Sequence, residues 1–229
     1  MGIAKSLIAV VGILCLMVSC SKSEDVENFV QGEAGADLKV IGRSFDLKST
    51  FAKVIYTQVQ AEIQEVAFKH EDSNGVLSDI EYNGHYQIDL LTGSSTPKMN
   101  TAYLKAGKYV GFQASIAPGS AGSSFVCKAE FTNSNNQKVN VAFSTNKTLD
   151  IAYTSRTGFV IKEGDVYTFV LTFILPTLFD GVNLDNAQVK DGVVLINASE
   201  NSALAIQVEH NISKAIDYAY QINGVSLPF

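Results

Sequence analysis

From Leu38 onward, hydrophobic and polar residues mostly alternate one by one, and the alternating runs are broken by Gly, Asn, Asp or Pro. A period of two places every second side chain on one face, so these runs predict half-buried β-strands joined by turns. Residues 38–41 form a short first candidate. The stretch 49–70 is ambiguous: Phe51, Ile55, Val59, Ile63 and Val66 have helical spacing, yet Val59, Ala61 and Ile63 alternate equally well. Val66 and Phe68 continue the alternation after a one-residue shift, which predicts a strand with a bulge, preceded by a turn or short helix. Residues 71–75 then read as a hairpin loop, 86–91 as a strand, and 92–97 as the loop that closes it.

Further strands are predicted at 109–116, 125–131, 139–143, 149–153, 166–175, 193–196, 204–212 and 216–222, with Asn133 to Gln137 as a polar hairpin tip. A Lys-x-Gly turn precedes two of them, Lys105-Ala106-Gly107 and Lys162-Glu163-Gly164, and each is followed by an apolar strand and a proline, Pro118 and Pro176. Two such units suit a sandwich. About ten strands and no long helix predict an all-β fold, an antiparallel two-sheet sandwich of the immunoglobulin/transthyretin-like kind.

The N-terminal residues have a different pattern and are excluded from the fold. Lys5 precedes an apolar run over residues 7–18, shorter than the roughly 20 residues a membrane-spanning helix needs. Leu16-Met17-Val18-Ser19-Cys20 closes it and resembles the lipobox of bacterial lipoproteins, with Met17 where leucine is commoner. That resemblance implies cleavage before Cys20 and acylation of its thiol; each buried methylene contributes about 0.8 kcal/mol, so several chains anchor firmly. Ser21-Lys22-Ser23-Glu24-Asp25 resembles the export signal of Bacteroidetes-type surface lipoproteins. Residues 1–19 are thus read as the signal peptide, 20–36 as acylated cysteine and flexible tether, and 37–229 as the β-sandwich domain. A flexible tether of that length spans roughly 20–25 Å.

Within the domain, Val59-x-Ala61-x-Ile63-x-x-Val66, Ile88-Asp89-Leu90-Leu91-Thr92-Gly93, Leu104-x-Ala106-Gly107-x-Tyr109 and Gly158-Phe159-x-Ile161-x-x-Gly164 follow one another in order. As a set they resemble an uncharacterised β-sandwich domain of Bacteroidetes-type lipoproteins over roughly residues 37–196. Two places depart from it: Arg43-Ser44-Phe45-Asp46 replaces a Thr-Asp-x-Pro ending, and Phe173-Ile174-Leu175-Pro176 replaces an acidic strand end. The resemblance implies fold and location, and it brings no activity or site residues.

Composition narrows the functional classes. The chain of 229 residues carries a formal net charge of −6, and losing residues 1–19 removes one lysine and no acid. An acidic domain is a poor match for nucleic acid, whose phosphates are met by clustered Lys and Arg. With Cys15 lost and Cys20 acylated, Cys127 is left alone, so no intramolecular disulfide is expected. Its place in Phe125-x-Cys127-x-Ala129-x-Phe131 predicts an inert buried thiol.

Candidate chemistry is sparse. His70, His85 and His210 lack metal-ligand spacing. Ser95-Thr96-Pro97-Lys98 matches the Ser-x-x-Lys pattern, but its proline and turn-rich setting predict a loop instead of the helix start that chemistry needs. Asp180, Asn183 and Asp185 concentrate calcium-type oxygen ligands, with a solvated turn as the preferred reading. Tyrosines 56, 82, 86, 103 and 153 are candidates for sugar stacking in a chain without Trp, although core or rim positions explain them better. Asn146-Lys147-Thr148, Asn197-Ala198-Ser199 and Asn211-Ile212-Ser213 match the glycosylation triplet, which carries no weight in a bacterial lipoprotein.

The expectation is therefore a lipoprotein held to the outer membrane through Cys20, facing the cell surface or else the periplasm. Its non-catalytic β-sandwich would bind a protein or glycan or serve a structural role, without a cofactor. A fimbria-like assembly subunit and a hydrolase with a dispersed active site are the alternatives.

Overall fold

The computed structural model describes residues 32–43, 54–222 and 225–227. The residues read as signal peptide, Cys20 and most of those read as tether lie outside the described residues, as does the turn or short helix expected before residue 54. The described chain forms β1 (Glu33–Arg43), β2 (Val54–Glu71), β3 (Leu77–Asp89), β4 (Ser94–Thr96), β5 (Ala102–Lys105), β6 (Gly107–Ile116) and β7 (Phe125–Thr132). It continues through β8 (Lys138–Thr145), β9 (Leu149–Ile161), β10 (Val166–Ile174), β11 (Val189–Lys190) and β12 (Val193–Ile196). Helix α1 (Ser202–Lys214) follows, then β13 (Ile216–Ile222) and β14 (Val225–Leu227).

The strands make an all-β sandwich of two sheets. One has the order β14-β13-β10-β1-β5; the other runs β11-β12-β8-β7-β2-β3-β4, with β6 pairing β2 and β9 pairing β6. Two pairings depart from the antiparallel expectation: β1 runs parallel to β10, and β12 parallel to β8. Alternation reports which face a side chain takes and is blind to strand direction, so the sequence could not reveal this. Five consecutive residues of β10, Phe169 to Phe173, are buried, as in a strand covered on both faces.

Strand β2 organises the larger sheet. Residues 54–61 pair with β7, and residues 63–71 pair on the same side with β6. The register shifts between Ile63 and Glu65, which is the one-residue phase change predicted from Ile63 and Val66. As a result β7 and β6 lie end to end along β2, and β8 and β9 lie end to end beyond them. Phe169 of β10 closes the sandwich by packing on Phe68 at 4.9 Å, Phe159 at 5.5 Å and Phe112 at 6.1 Å between ring centroids. Cys127 faces this core, 1% exposed.

Two expectations need correction. Strand β1 starts at Glu33, within the segment read as tether, and there Ala34 and Ala36 are buried at 0% and 2% exposure between β5 and β10. Small alanines give little hydrophobic signal, yet they fit where strands are covered closely. Residues 204–212, read as a strand, belong to α1, which buries Ala205, Val208 and Ile212. That is the i, i+3, i+7 stripe of a helix, and it leaves Ile206 61% exposed.

The chain enters the domain where both Lys-x-Gly turns lie. The Ala106 amide donates to the Gly32 carbonyl at 2.8 Å, and the Gly164 amide to that of Glu33 at 2.9 Å. The two turns thus hold the start of β1 from either side.

Candidate functional site

A groove of about 600 Å³ is flanked by the turn between β8 and β9, the loop between β12 and α1, and the first turns of the helix. This volume lies within the roughly 300–1,000 Å³ typical of ligand sites. Its framework begins with Ser124, fully buried, whose hydroxyl donates to the carbonyl of Lys147 at 2.6 Å and reaches that of Thr145 at 3.0 Å. The Thr145 hydroxyl donates to Glu209 of α1 at 2.7 Å, and Lys147 Nζ pairs with the other carboxylate oxygen at 2.6 Å. The β8–β9 turn is in this way latched to the helix.

A second set of bonds builds the opposite wall. Asn201, in the left-handed region at φ 49°, donates through Nδ2 to the carbonyls of Gln188 and Leu195 and accepts from the Gln188 amide. Asn197 Oδ1 accepts from the amides of Ser199 and Glu200, each at 2.8 Å, which fixes a tight Asx turn. Lys190 Nζ binds Glu200 at 2.7 Å. Every charge in the groove is therefore matched: Lys147 with Glu209, and Lys190 with Glu200.

Five lining side chains remain uncommitted. Among the described residues, those of Ser123, Ser144, Asn146, Ser199 and Ser202 make no hydrogen bond to another group of the protein. Leu195, Ala198, Ala205 and Ile206 supply the apolar part of the surface. A second concavity, of about 340 Å³, lies on β2, β6 and β9, where Glu65, Ser115 and Asp150 stand in one row of the ladder. Ser115 Oγ donates to Asp150 at 3.5 Å.

The residues singled out in the sequence do not converge on either place. Asp180, Asn183 and Asp185 are all exposed; Asp185 accepts the Ser134 amide at 2.9 Å, and the Asp180 carbonyl accepts from Asn211 of α1 at 2.8 Å. Among the described residues no group of three or more His, Cys, Asp or Glu is placed to hold a metal ion. His70 packs edge-on against Tyr109 at 5.1 Å, while His85 and His210 are exposed on β3 and α1. Ser95, expected in a loop, lies on the short strand β4 opposite Ile88 and accepts the Met99 amide at 3.0 Å.

Among the described residues, none of the stacking tyrosines lines the groove. Tyr56 donates its hydroxyl to the Leu175 carbonyl and stacks on Phe179; Tyr86 is buried, Tyr153 packs on Phe112, and Tyr103 is exposed on β5. The side chain of Tyr82 lies outside the described residues. Burial pushes the Cys127 thiol up to about 12 and raises the Tyr56 hydroxyl, which Cys127 also raises. Thiolate chemistry is correspondingly suppressed.

Sequence reading missed the groove because its parts are short neutral loops. The signal was Gly119 to Ser124 together with Asn197 to Ser202, two runs rich in Ser, Asn and Gly that also read as ordinary turns. Asn146 and Asn197, noted only as glycosylation triplets, both line the groove. Comparison of the chain with protein-family models, curated proteins and solved structures finds no match.

Proposed function

We propose that this chain is a lipid-anchored lipoprotein of the outer membrane, facing the cell surface, whose β-sandwich serves as a non-catalytic binding module. Cys20 holds the protein to the membrane, and the groove beside α1 meets its partner. One observation carries the reading: the point where the chain enters the domain and the groove are far apart. Strand β9 starts next to the groove at Leu149 and ends at Ile161, paired with Gly107 beside the Gly32 carbonyl. Measured along the paired strand β6, from Ile116 opposite Leu149 to Gly107 opposite Ile161 at about 3.3 Å per residue, the two are about 30 Å apart. A tether running from Gly32 to the bilayer leaves the groove pointing away from the lipid.

The cysteine at the end of the lipobox and the acidic residues after it support the anchor and the outer face. The inert buried thiol and the fully paired groove charges support binding without catalysis, since nucleophiles and acid–base groups need an accessible, activated partner. Cells expressing the protein should incorporate labelled palmitate into it, and Cys20→Ala should abolish the label and release the protein from the membrane. Protease added to intact cells should digest the domain. Labelling retained in Cys20→Ala refutes the anchor, and protection from protease places the domain in the periplasm.

A further inference from the structure

We propose that the groove beside α1 takes an uncharged, polyhydroxylated chain, a neutral glycan; this deepens the reading of the domain as a displayed binding module and rests on it. The five uncommitted groups are four hydroxyls and one carboxamide, and each both donates and accepts hydrogen bonds. Sugar hydroxyls have the same dual character. A ligand with only donors or only acceptors would leave half of this capacity unused.

Charge excludes the main rivals. The chain as a whole is acidic, at −6, yet the groove holds two lysines and two glutamates joined as pairs. An anionic polysaccharide or acidic peptide would find no free cation, and a basic peptide no free carboxylate. Drawing Lys147 onto an anionic ligand would strand Glu209, whose side chain is only 12% exposed. The paired groups retain further lone pairs and N–H bonds, which suits neutral hydroxyls.

Shape argues against a peptide. Peptide recognition draws most of its energy from aromatic or apolar anchors sunk in pockets, or from an added strand at a sheet edge. Here the apolar lining is limited to Leu195, Ala198, Ala205 and Ile206, and β12 is already paired on both sides by β11 and β8. Such a small aliphatic surface can meet the C–H face of a pyranose ring. Without an aromatic platform, binding should be weak per residue and should strengthen with chain length.

The walls are pre-formed by the Asn197 turn, the three bonds of Asn201 and the Thr145–Lys147 latch to Glu209. Ordering entropy that would otherwise oppose a weak ligand is thereby reduced.

The test uses the full chain purified in detergent and titrated calorimetrically with maltohexaose, cellohexaose, laminarihexaose and mannohexaose, with heparin hexasaccharide and tri-galacturonate as charged controls. At least one neutral hexasaccharide should bind, and its disaccharide at least tenfold more weakly. Ser144→Phe, which fills the groove, and Ser199→Trp, on the exposed rim, should each lower that affinity tenfold or more with the circular dichroism spectrum unchanged. Ser199 is exposed, so its variant remains informative if Ser144→Phe misfolds.

Binding of the charged controls alone, or of no hexasaccharide, overturns the proposal. So does neutral binding that neither variant weakens. Those results leave the palmitate and protease experiments untouched, so failure of the ligand assignment is separable from failure of surface display.

Discussion

Asn201 illustrates how a single residue sets local geometry here. It occupies the left-handed region, which L-residues other than Gly, Asn and Asp avoid at a cost of about 1–2 kcal/mol, and its carboxamide bridges Gln188 and Leu195 through three hydrogen bonds. Asn201→Gly keeps the backbone and loses the bonds, which should destabilise by about 2–3 kcal/mol at about 1 kcal/mol per bond. Asn201→Ala loses both and should fall about 1 kcal/mol further. Urea unfolding of the two variants measures the difference, and equal stabilities would show that the backbone conformation contributes nothing. At this scale the sequence was readable where burial decides, as at Cys127, and unreadable where a long-range bond decides. Nothing near Asn201 in the chain announces Gln188, thirteen residues away, as its partner.

Elements show the same division. The phase shift between Ile63 and Val66 marked the β2 bulge, because the ladder must add a residue to keep both halves facing the core. Helix α1 was hidden: Leu204, Ile206, Val208 and Ile212 alternate as well as they wind, and only tertiary packing selects the helical stripe. The two phases make opposite forecasts. A strand puts Ile206 and Ile212 on one face, whereas the helix buries Ile212 fully and exposes 61% of Ile206. Ile212→Ala should therefore cost about 2–5 kcal/mol and Ile206→Ala under about 0.5 kcal/mol. Equal losses in chemical denaturation would contradict the helix. The groove depends on this element, since Glu209 and Ser202 reach it only from a helix, and a strand reading of 204–212 could not bring them there.

For the whole molecule, three buried acids distributed over β2, β6 and β7 make stability depend on alkaline pH. Burial raises the Tyr56 and Tyr109 hydroxyls and takes the Cys127 thiol to about 12. Unfolded, these groups ionise near about 10 and about 8.5. The unfolded chain thus releases protons that the folded one retains, so the stabilisation is complete below about pH 8 and declines as pH rises toward the folded values. Each group contributes about 1.4 kcal/mol per pH unit once its unfolded form is ionised. Unfolding free energy should drop by about 4–5 kcal/mol between pH 9 and pH 11, and a flat profile would mean that these groups are not buried. The all-β class and the sandwich were legible from alternation alone, while the parallel pairings were not, because both directions share the same period.

The parallel pairing of β1 with β10 also decides how the domain bears a load. β1 is the first described strand, yet it lies inside its sheet, with β10 on one side over nine paired positions and β5 on the other over four. Tension drawn through Gly32 while the far end is held runs along β1, so its ladder bonds are strained in shear and must fail together. Peeling at an edge would break them one at a time. A pull that enters the domain through Gly32 is thus met by β1 at the place where it arrives.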